Sequence, residues 1–320
     1  MFTILVMGGS QFVSKALAKH FIHLGYTVDI FTRGLKQIDY EGYRKHFIGD
    51  RNNPDDLKDN LAYKEYDFIF DISAYTRDQV EKLIPFIQTE KLKRYVFFSS
   101  GAVYKPSKSV IKEDFPCGEN INWGIYGLQK QEAEQFLFRM HKDNGLPITI
   151  FRPSYIYGEG NNLNREAYFF NRIEQELPIP YPSGNSHVQF IHIRDAVRVL
   201  ESVMSNKESN GQAYNLSYPD PITWETLIST AERVVKKRAY TSKIDESLIS
   251  DMNLVTRNYF PFRNITYLLD CQKLQKDGLY TPTIDLFSGL CFAYQYYIDF
   301  RPVLEDRAMK HIDDVVRAYV

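Results

Sequence analysis

The 320-residue sequence is short of several features that would narrow its function at once. It has only three cysteines, Cys117, Cys271 and Cys291, and no two of them form a C-x-x-C pair. That argues against a disulfide framework or a cysteine-based zinc site; no metal centre is expected, and a reducing, cytoplasmic compartment is. No positively charged region precedes an apolar stretch at the N-terminus, so no signal peptide is expected. No run approaches the roughly 18 apolar residues that a membrane-spanning helix requires. An excess of one charge is missing as well. With 39 basic and 40 acidic residues the net charge is −1, which offers no general attraction to nucleic acid or to an anionic membrane. The basic residues cluster only at KLKR (91–94) and VVKKR (234–238), both expected to be solvated helix ends. Glycine is scarce where it would be most telling. The stretch GGSQFVSK (8–15) follows an apolar run, yet the fingerprint G-x-x-G-x-x-G would also place glycines at positions now held by Gln11 and Ser14.

What is present describes an ordinary globular protein, 44% hydrophobic and 25% charged, long enough for one large or two modest domains. Aromatic residues are abundant, with 23 Tyr and 22 Phe; stacking on flat ligands is one use for them, and core packing is expected for most. FTILVM (2–7), TVDIFTR (27–33), HFIGD (46–50), DFIFDIS (67–73), RYVFFSS (94–100) and ITIFRPS (148–154) read as strands. Between them lie helical periodicities over about 10–24 and 126–142, the latter stopped near Gly145, and one carrying Val80, Leu83, Ile84 and Ile87. Because the strands are continuous apolar runs alternating with helices, they predict an α/β fold with a doubly wound parallel sheet, the Rossmann architecture. Residues 1–155 are expected to form the dinucleotide-binding domain, rejoined by strands and helices from about 186–218 (FIHI at 190–193, a helix near 194–205, AYNLS at 213–217). Residues 156–185 and 219–320, with a helix near 223–237, are expected to form a smaller, mostly α substrate domain. Ligands should bind between the two, at the carboxyl ends of the strands.

YGLQK (126–130) puts Tyr126 and Lys130 one helical turn apart on the same face. An ammonium beside a phenol favours the phenolate, which is expected to make Tyr126 a proton-transfer group near neutral pH. A second Y-x-x-x-K, from Tyr104 to Lys108, contains Pro106 and follows a strand end, so it is not expected to be helical. Ser100, at the end of VFFSS, lies where it can hydrogen-bond a substrate oxygen. His192 reads as a structural strand residue, and Asp195 as a cap or first-turn residue of the next helix.

The ordered set VMGGSQFVSKAL, GDRNN, FDISAY, VFFSSGAVY, YGLQK and FRPSYIYGEG resembles the extended short-chain dehydrogenase/reductases, the NAD-dependent epimerase/dehydratase superfamily. The likeness continues through QFIHIRDAVRVL and AYNLSYPDPITWETLI and covers nearly the whole chain. It implies a catalytic triad of Ser100, Tyr126 and Lys130, with hydride passing to or from a nicotinamide and a proton through Tyr126. It implies cofactor contacts from Gly8, Gly9, Ser10, Gln11, Phe12, Arg33, Asp50, Arg51, Ser73, Ser99, Tyr126, Lys130 and Pro153, with Asp50 and Arg51 flanking the adenine. NAD-preferring members carry an acid at the end of the second strand, where this chain has Thr32 followed by Arg33. An arginine there can pair with a 2′-phosphate, which favours NADP(H) over NAD(H). Dehydratases resembling this chain place an Asp-Glu pair where Gly101 and Ala102 stand, so water elimination is disfavoured and an epimerase or reductase remains. Tyr104 and Arg263 are expected at the substrate, Arg263 where relatives hold a substrate phosphate, and a nucleotide sugar is the expected small-molecule class. A homodimer is common among such proteins. The G-G-x-x-F form of the loop also resembles an atypical branch containing chloroplast stem-loop RNA-binding proteins, some of which lack the Tyr–Lys pair. That leaves RNA binding or NADP(H) sensing without catalysis as the alternative; the dispersed basic residues make nucleic acid an unexpected partner.

Overall fold

The computed structural model describes residues 1–250, 252–304 and 309–319. Seven parallel strands form the main sheet: β1 (Thr3–Met7), β2 (Thr27–Thr32), β3 (Lys45–Ile48), β4 (Phe68–Asp71), β5 (Arg94–Phe98), β6 (Ile148–Pro153) and, returning from later in the chain, β10 (Gln212–Leu216). Their order is β10-β6-β5-β4-β1-β2-β3, so the direction of winding reverses between β1 and β4. In doubly wound sheets that reversal opens a crevice at the carboxyl ends of the strands.

Both faces are covered, which is why the strands carry apolar residues throughout rather than alternating. On one face α1 (Phe12–His23) buries Val13, Leu17, Ala18 and Phe21 at helical spacing, alongside α6 (Ile193–Ser202) with Ala196, Val197, Val199 and Leu200. On the other, α2 (Pro54–Leu61), α3 (Arg77–Leu83) and α4 (Ile125–Asn144) contribute Leu57, Leu61, Val80, Leu83, Ala133 and Leu137. Gly145 ends α4 in the left-handed conformation, φ +70°, the stop expected from its sequence.

The third core lies outside the sheet. It joins β7 (Tyr155–Tyr157), α5 (Arg165–Glu174), β8 (Ile179–Pro182), β9 (Phe190–His192), α7 (Trp224–Val235), β11 (Thr241–Ile244), α8 (Glu246–Ser250), α10 (Leu286–Phe300) and α11 (Ile312–Tyr319), while α9 (Gln272–Lys276) packs beside β10. Aromatic rings dominate it: Trp224 stacks on Phe262 at 5.3 Å, and Phe262 also meets Tyr155, Phe169 and Phe190. Many of the aromatics therefore serve packing.

Two expectations need correction. Of the two strands in 186–218, only β10 enters the main sheet; β9 pairs in parallel with β7 in a separate two-stranded sheet. KLKR is not a solvated helix end, because Arg94 begins β5 and is buried, donating to Thr149 Oγ1, Ser209 Oγ and Asn206 O. Asp195 lies in the first turn of α6, one of the two places expected for it. The cap is His192, whose Nδ1 accepts from Arg194 N, whereas Asp195 accepts from the backbone of Thr283 and Ile284 and from Tyr280 Oη. Among the described residues no helix is long and apolar enough to cross a membrane, and no cluster of His, Cys, Asp or Glu could hold a metal ion.

Candidate active site

The switch in strand order opens a cleft of about 470 Å³ over the ends of β1, β2 and β4. Gly8, Ser10, Gln11, Phe12, Arg33, Asp50, Arg51 and Ser73 all line it. Gly8 has φ +123°, and a Cβ on it would lie 2.7 Å from the Cβ of Ser14, so the turn needs glycine and the helix packs directly upon it. Ser14 stands in for the last fingerprint glycine by sending its hydroxyl to Gln11 O at 2.9 Å. Gly9 faces the sheet instead of the cleft: a Cβ there would meet Ile30 at 3.0 Å, and its carbonyl accepts from Tyr40 Oη. No side chain caps α1, which leaves its first backbone N–H groups pointing at the cleft, the usual seat of a pyrophosphate. Thr32, in place of the expected acid, lies 2.7 Å from His46 Nε2 and accepts from Gly34 N. Arg33 is exposed at the mouth, and among the described residues it has no ion-pair partner. Asp50 is held below the usual carboxylate range, mainly by the backbone N–H of Asn52, with Arg33 adding to the effect.

Arg51 lines the cleft, and its charge is already paired inside the protein. Its guanidinium grips both oxygens of Asp71 at 2.7 and 2.8 Å, reaches Ser73 Oγ at 2.9 Å and donates to Gln79 O. With side-chain exposure of 8%, it forms part of the wall of the cleft. Asp71 also receives Tyr95 Oη and Ala74 N, so the carboxylate is fully hydrogen-bonded despite complete burial.

Beyond this cleft β5 ends at Ser99 and Ser100. Ser100 Oγ accepts from Ala102 N and lies within hydrogen-bonding reach of Tyr126. The approach of α4 is set by Gly127, since a Cβ there would come within 2.2 Å of Ala102 O. Burial holds the Tyr126 phenol above the usual range, the Ser100 hydrogen bond opposes this, Tyr75 adds to the rise and Arg165 subtracts from it. The expectation that Lys130 pulls Tyr126 down is therefore not met. Lys130 Nζ is buried and donates to Ala74 O and Phe98 O, each at 2.7 Å, and burial pushes its pKa down to about 8. Ser99 is buried with its hydroxyl unpartnered among the described residues, and Pro153 offers its carbonyl to Tyr267 Oη.

A second cleft of about 620 Å³ lies on the other side of Ser100, between Gly101 and the later part of the chain. Trp123, Asn120, Asn122, Asn185, Asn264 and Tyr267 line it with Lys105 and Lys108, and no acid does. Tyr104 reaches it only with its ring, because its hydroxyl donates to Asn215 Oδ1 and accepts from Arg152, itself paired with buried Glu134. Arg263 lies with its guanidinium 4.7 Å over the ring of Trp123. Arg165 covers Tyr155 and Phe262 at 5.2 and 5.4 Å. Among the described residues neither arginine has a carboxylate partner, and burial lowers the pKa of both, reinforced by Arg257.

Tyr75, Gln79, Asn52 and Asn162 of the first cleft, and Trp123, Asn264 and Tyr267 of the second, were not singled out by sequence. Tyr75 and Asn52 had an available signal, each lying four residues past the carboxyl end of a parallel strand.

A doubly wound sheet with a glycine turn under α1 and a Ser–Tyr–Lys set beside it defines a nicotinamide-type dehydrogenase scaffold. The sequence pattern of the NAD dependent epimerase/dehydratase family matches residues 4–217, and the chain belongs to that family. The chloroplast stem-loop binding protein of 41 kDa b from Arabidopsis thaliana is 27% identical over 331 residues, covering 98% of this chain and 83% of that protein. A putative UDP-glucose 4-epimerase from Methanocaldococcus jannaschii is 24% identical over 221 residues, covering 61% of this chain and 71% of that protein. In fold, the chain superimposes on the UDP-glucuronic acid 4-epimerase from Bacillus cereus, solved in complex with UDP-glucuronic acid and NAD. The TM-score is 0.73 at 18% identity, with 93% of this chain and 99% of that one covered.

Proposed function

We propose that this protein is an NADP(H)-using reductase or epimerase acting on a hydroxyl or carbonyl of a nucleotide-sugar-like substrate. The observation that carries the reading is the place of Tyr126: in reach of Ser100, one turn from Lys130, with Tyr75 of the first cleft on one side and Gly101 of the second on the other. The glycine turn and the uncapped start of α1 suit a pyrophosphate, and the free Arg33 suits a 2′-phosphate. A bound nicotinamide would supply or accept the hydride. The chain's own part is the proton. Tyr126, kept as a phenol by its surroundings, gives its proton to the substrate oxygen as a carbonyl becomes a hydroxyl, and Ser100 holds that oxygen. Lys130 ties the Ala74 loop to the end of β5 and keeps one of its three N–H groups for the ribose.

Elimination of water finds no support in this geometry. A Cβ at position 101 would lie 2.1 Å from Tyr267 Oη and 3.1 Å from Leu269, so an acid has no room where a dehydratase needs one. In the second cleft the asparagines offer partners for sugar hydroxyls, and Lys105 and Lys108 offer positive charge to a diphosphate, with Arg263 behind the ring of Trp123.

The test is cofactor titration joined to turnover on a panel of UDP-sugars and UDP-ketosugars. NADPH fluorescence should saturate with equal affinity in wild type and Tyr126→Phe, while turnover falls by about 10²–10⁴-fold in the variant. Failure of NADPH and NADH alike to bind at millimolar concentration overturns the reading. The chloroplast stem-loop binding relative favours a second one, RNA binding without catalysis. Retention of an RNA stem-loop at physiological salt, with no cofactor bound, would put that reading in its place.

A further inference from the structure

Tyr75 is 55% exposed, which by itself means little for a single aromatic residue. Its setting is what distinguishes it. The ring lies 6.0 Å from that of Tyr126 at an interplanar angle of 58°, and the Lys130 ammonium sits 5.3 Å from its centroid. The backbone beneath it is pinned at successive points: Ser73 Oγ accepts from Arg51, Ala74 N donates to Asp71, Ala74 O accepts from Lys130, and Tyr75 N donates to Gln79 Oε1 at 2.7 Å. An exposed ring on so constrained a segment is held in place by the interior. Its hydroxyl has no partner among the described residues, so no hydrogen bond of its own accounts for the placement.

Sheet topology says which half of a dinucleotide it would meet. Arg33 and Asp50 follow β2 and β3, on one side of β1, whereas Tyr75 follows β4 on the other side, next to β5 and Tyr126. The adenosine end belongs to the former and the reacting end to the latter. We propose that Tyr75 is a positioning residue for the nicotinamide half of the cofactor, a fixed aromatic wall that sets that half against Tyr126. This rests on the cofactor reading above. A fixed flat ring beside the nicotinamide ring, cationic when oxidised and neutral when reduced, gains contact area that a flexible side chain would not give.

The experiment separates the halves. Binding of NADPH, followed by fluorescence, and of 2′,5′-ADP, followed by calorimetry, is measured for wild type, Tyr75→Ala and Tyr75→Phe; NADH and ADP-ribose replace them if wild type prefers that pair. Tyr75→Ala should weaken the whole dinucleotide about tenfold. The adenosine fragment should stay within about twofold, which also certifies that the variant is folded. Tyr75→Phe should retain wild-type affinity for both ligands. Equal losses for dinucleotide and fragment would show that Tyr75 merely supports the loop, and an unchanged dinucleotide affinity would show no contact; either overturns the proposal. If wild type binds the fragment but not the dinucleotide, the proposal falls while a nucleotide site remains. If it binds neither, the cofactor reading itself has failed.

Discussion

Arg51 lines the first cleft and Arg263 lies against Trp123 of the second, and the molecule uses them in opposite ways. Arg51 is spent inside the protein on Asp71, Ser73 and Gln79, and Lys130 is spent likewise on two carbonyls. Arg263 and Arg165 lie against aromatic faces with no ion pair to a carboxylate among the described residues, and Lys105 and Lys108 belong to a cleft lining that contains no carboxylate. In the first cleft buried charge holds the scaffold, and what remains exposed to it is Arg33 at the rim, the ring of Tyr75 and the uncapped start of α1. In the second, positive charge is left for a ligand to neutralise. Removing a charge should therefore damage folding on the first side and binding on the second.

The strongest way to break that contrast is Asp71→Ala. It strands Arg51, takes a partner from Tyr95 Oη and frees Ala74 N, so unfolding by urea should show a loss of about 3–5 kcal/mol. Adding Arg51→Met should recover much of it, because the unpaired buried cation accounts for most of the penalty. A single variant as stable as wild type would mean that the pair carries no structural weight.

The next effect belongs to the boundary between the clefts. Gly101→Ala drives a methyl to within 2.1 Å of Tyr267 Oη, and should cost about 1–3 kcal/mol along with a displaced Ser100. Tyr267→Phe gives up only its bond to Pro153 O and removes the worst of the clash, leaving Cζ at 3.0 Å, so the double variant should be more stable than Gly101→Ala alone. Additive losses in that cycle would show that the two residues do not compete for the same space.

The same contrast governs what the sequence alone could tell. The first cleft is made at the ends of β1, β2 and β4, continuous apolar runs whose place in a parallel sheet follows from composition, so the loops bearing Gly8, Arg33 and Asp50 could be located. The fate of Arg51 could not, because Asp71 lies twenty residues away on another strand and no local pattern joins them. The second cleft draws on loops near 105, 120, 185 and 265, brought together by long-range packing in an aromatic core, and only Tyr104 and Arg263 were anticipated near it. Among the elements, α2 had a readable start that was missed: Asn53 caps it by accepting from Asp55 N, and Pro54 opens it. The helix α10 is apolar on most sides, so no single buried stripe marked it out.

The smallest expected effect concerns Gln11, where the fingerprint asks for glycine. Its backbone, φ −144° and ψ 149°, is ordinary extended geometry, and its side chain makes no capping bond. The residue under backbone strain is the next one, Phe12, at φ +36°. Glycine at 11 therefore brings no conformational relief, and only a close approach by a phosphate could call for it. Gln11→Gly should change unfolding stability by no more than about 0.5 kcal/mol and leave NADPH affinity equal or better. A pronounced loss of affinity would show instead that the amide donates to the cofactor, turning the missing glycine into a contact. The first cleft would then recognise its ligand partly through a side chain at the turn.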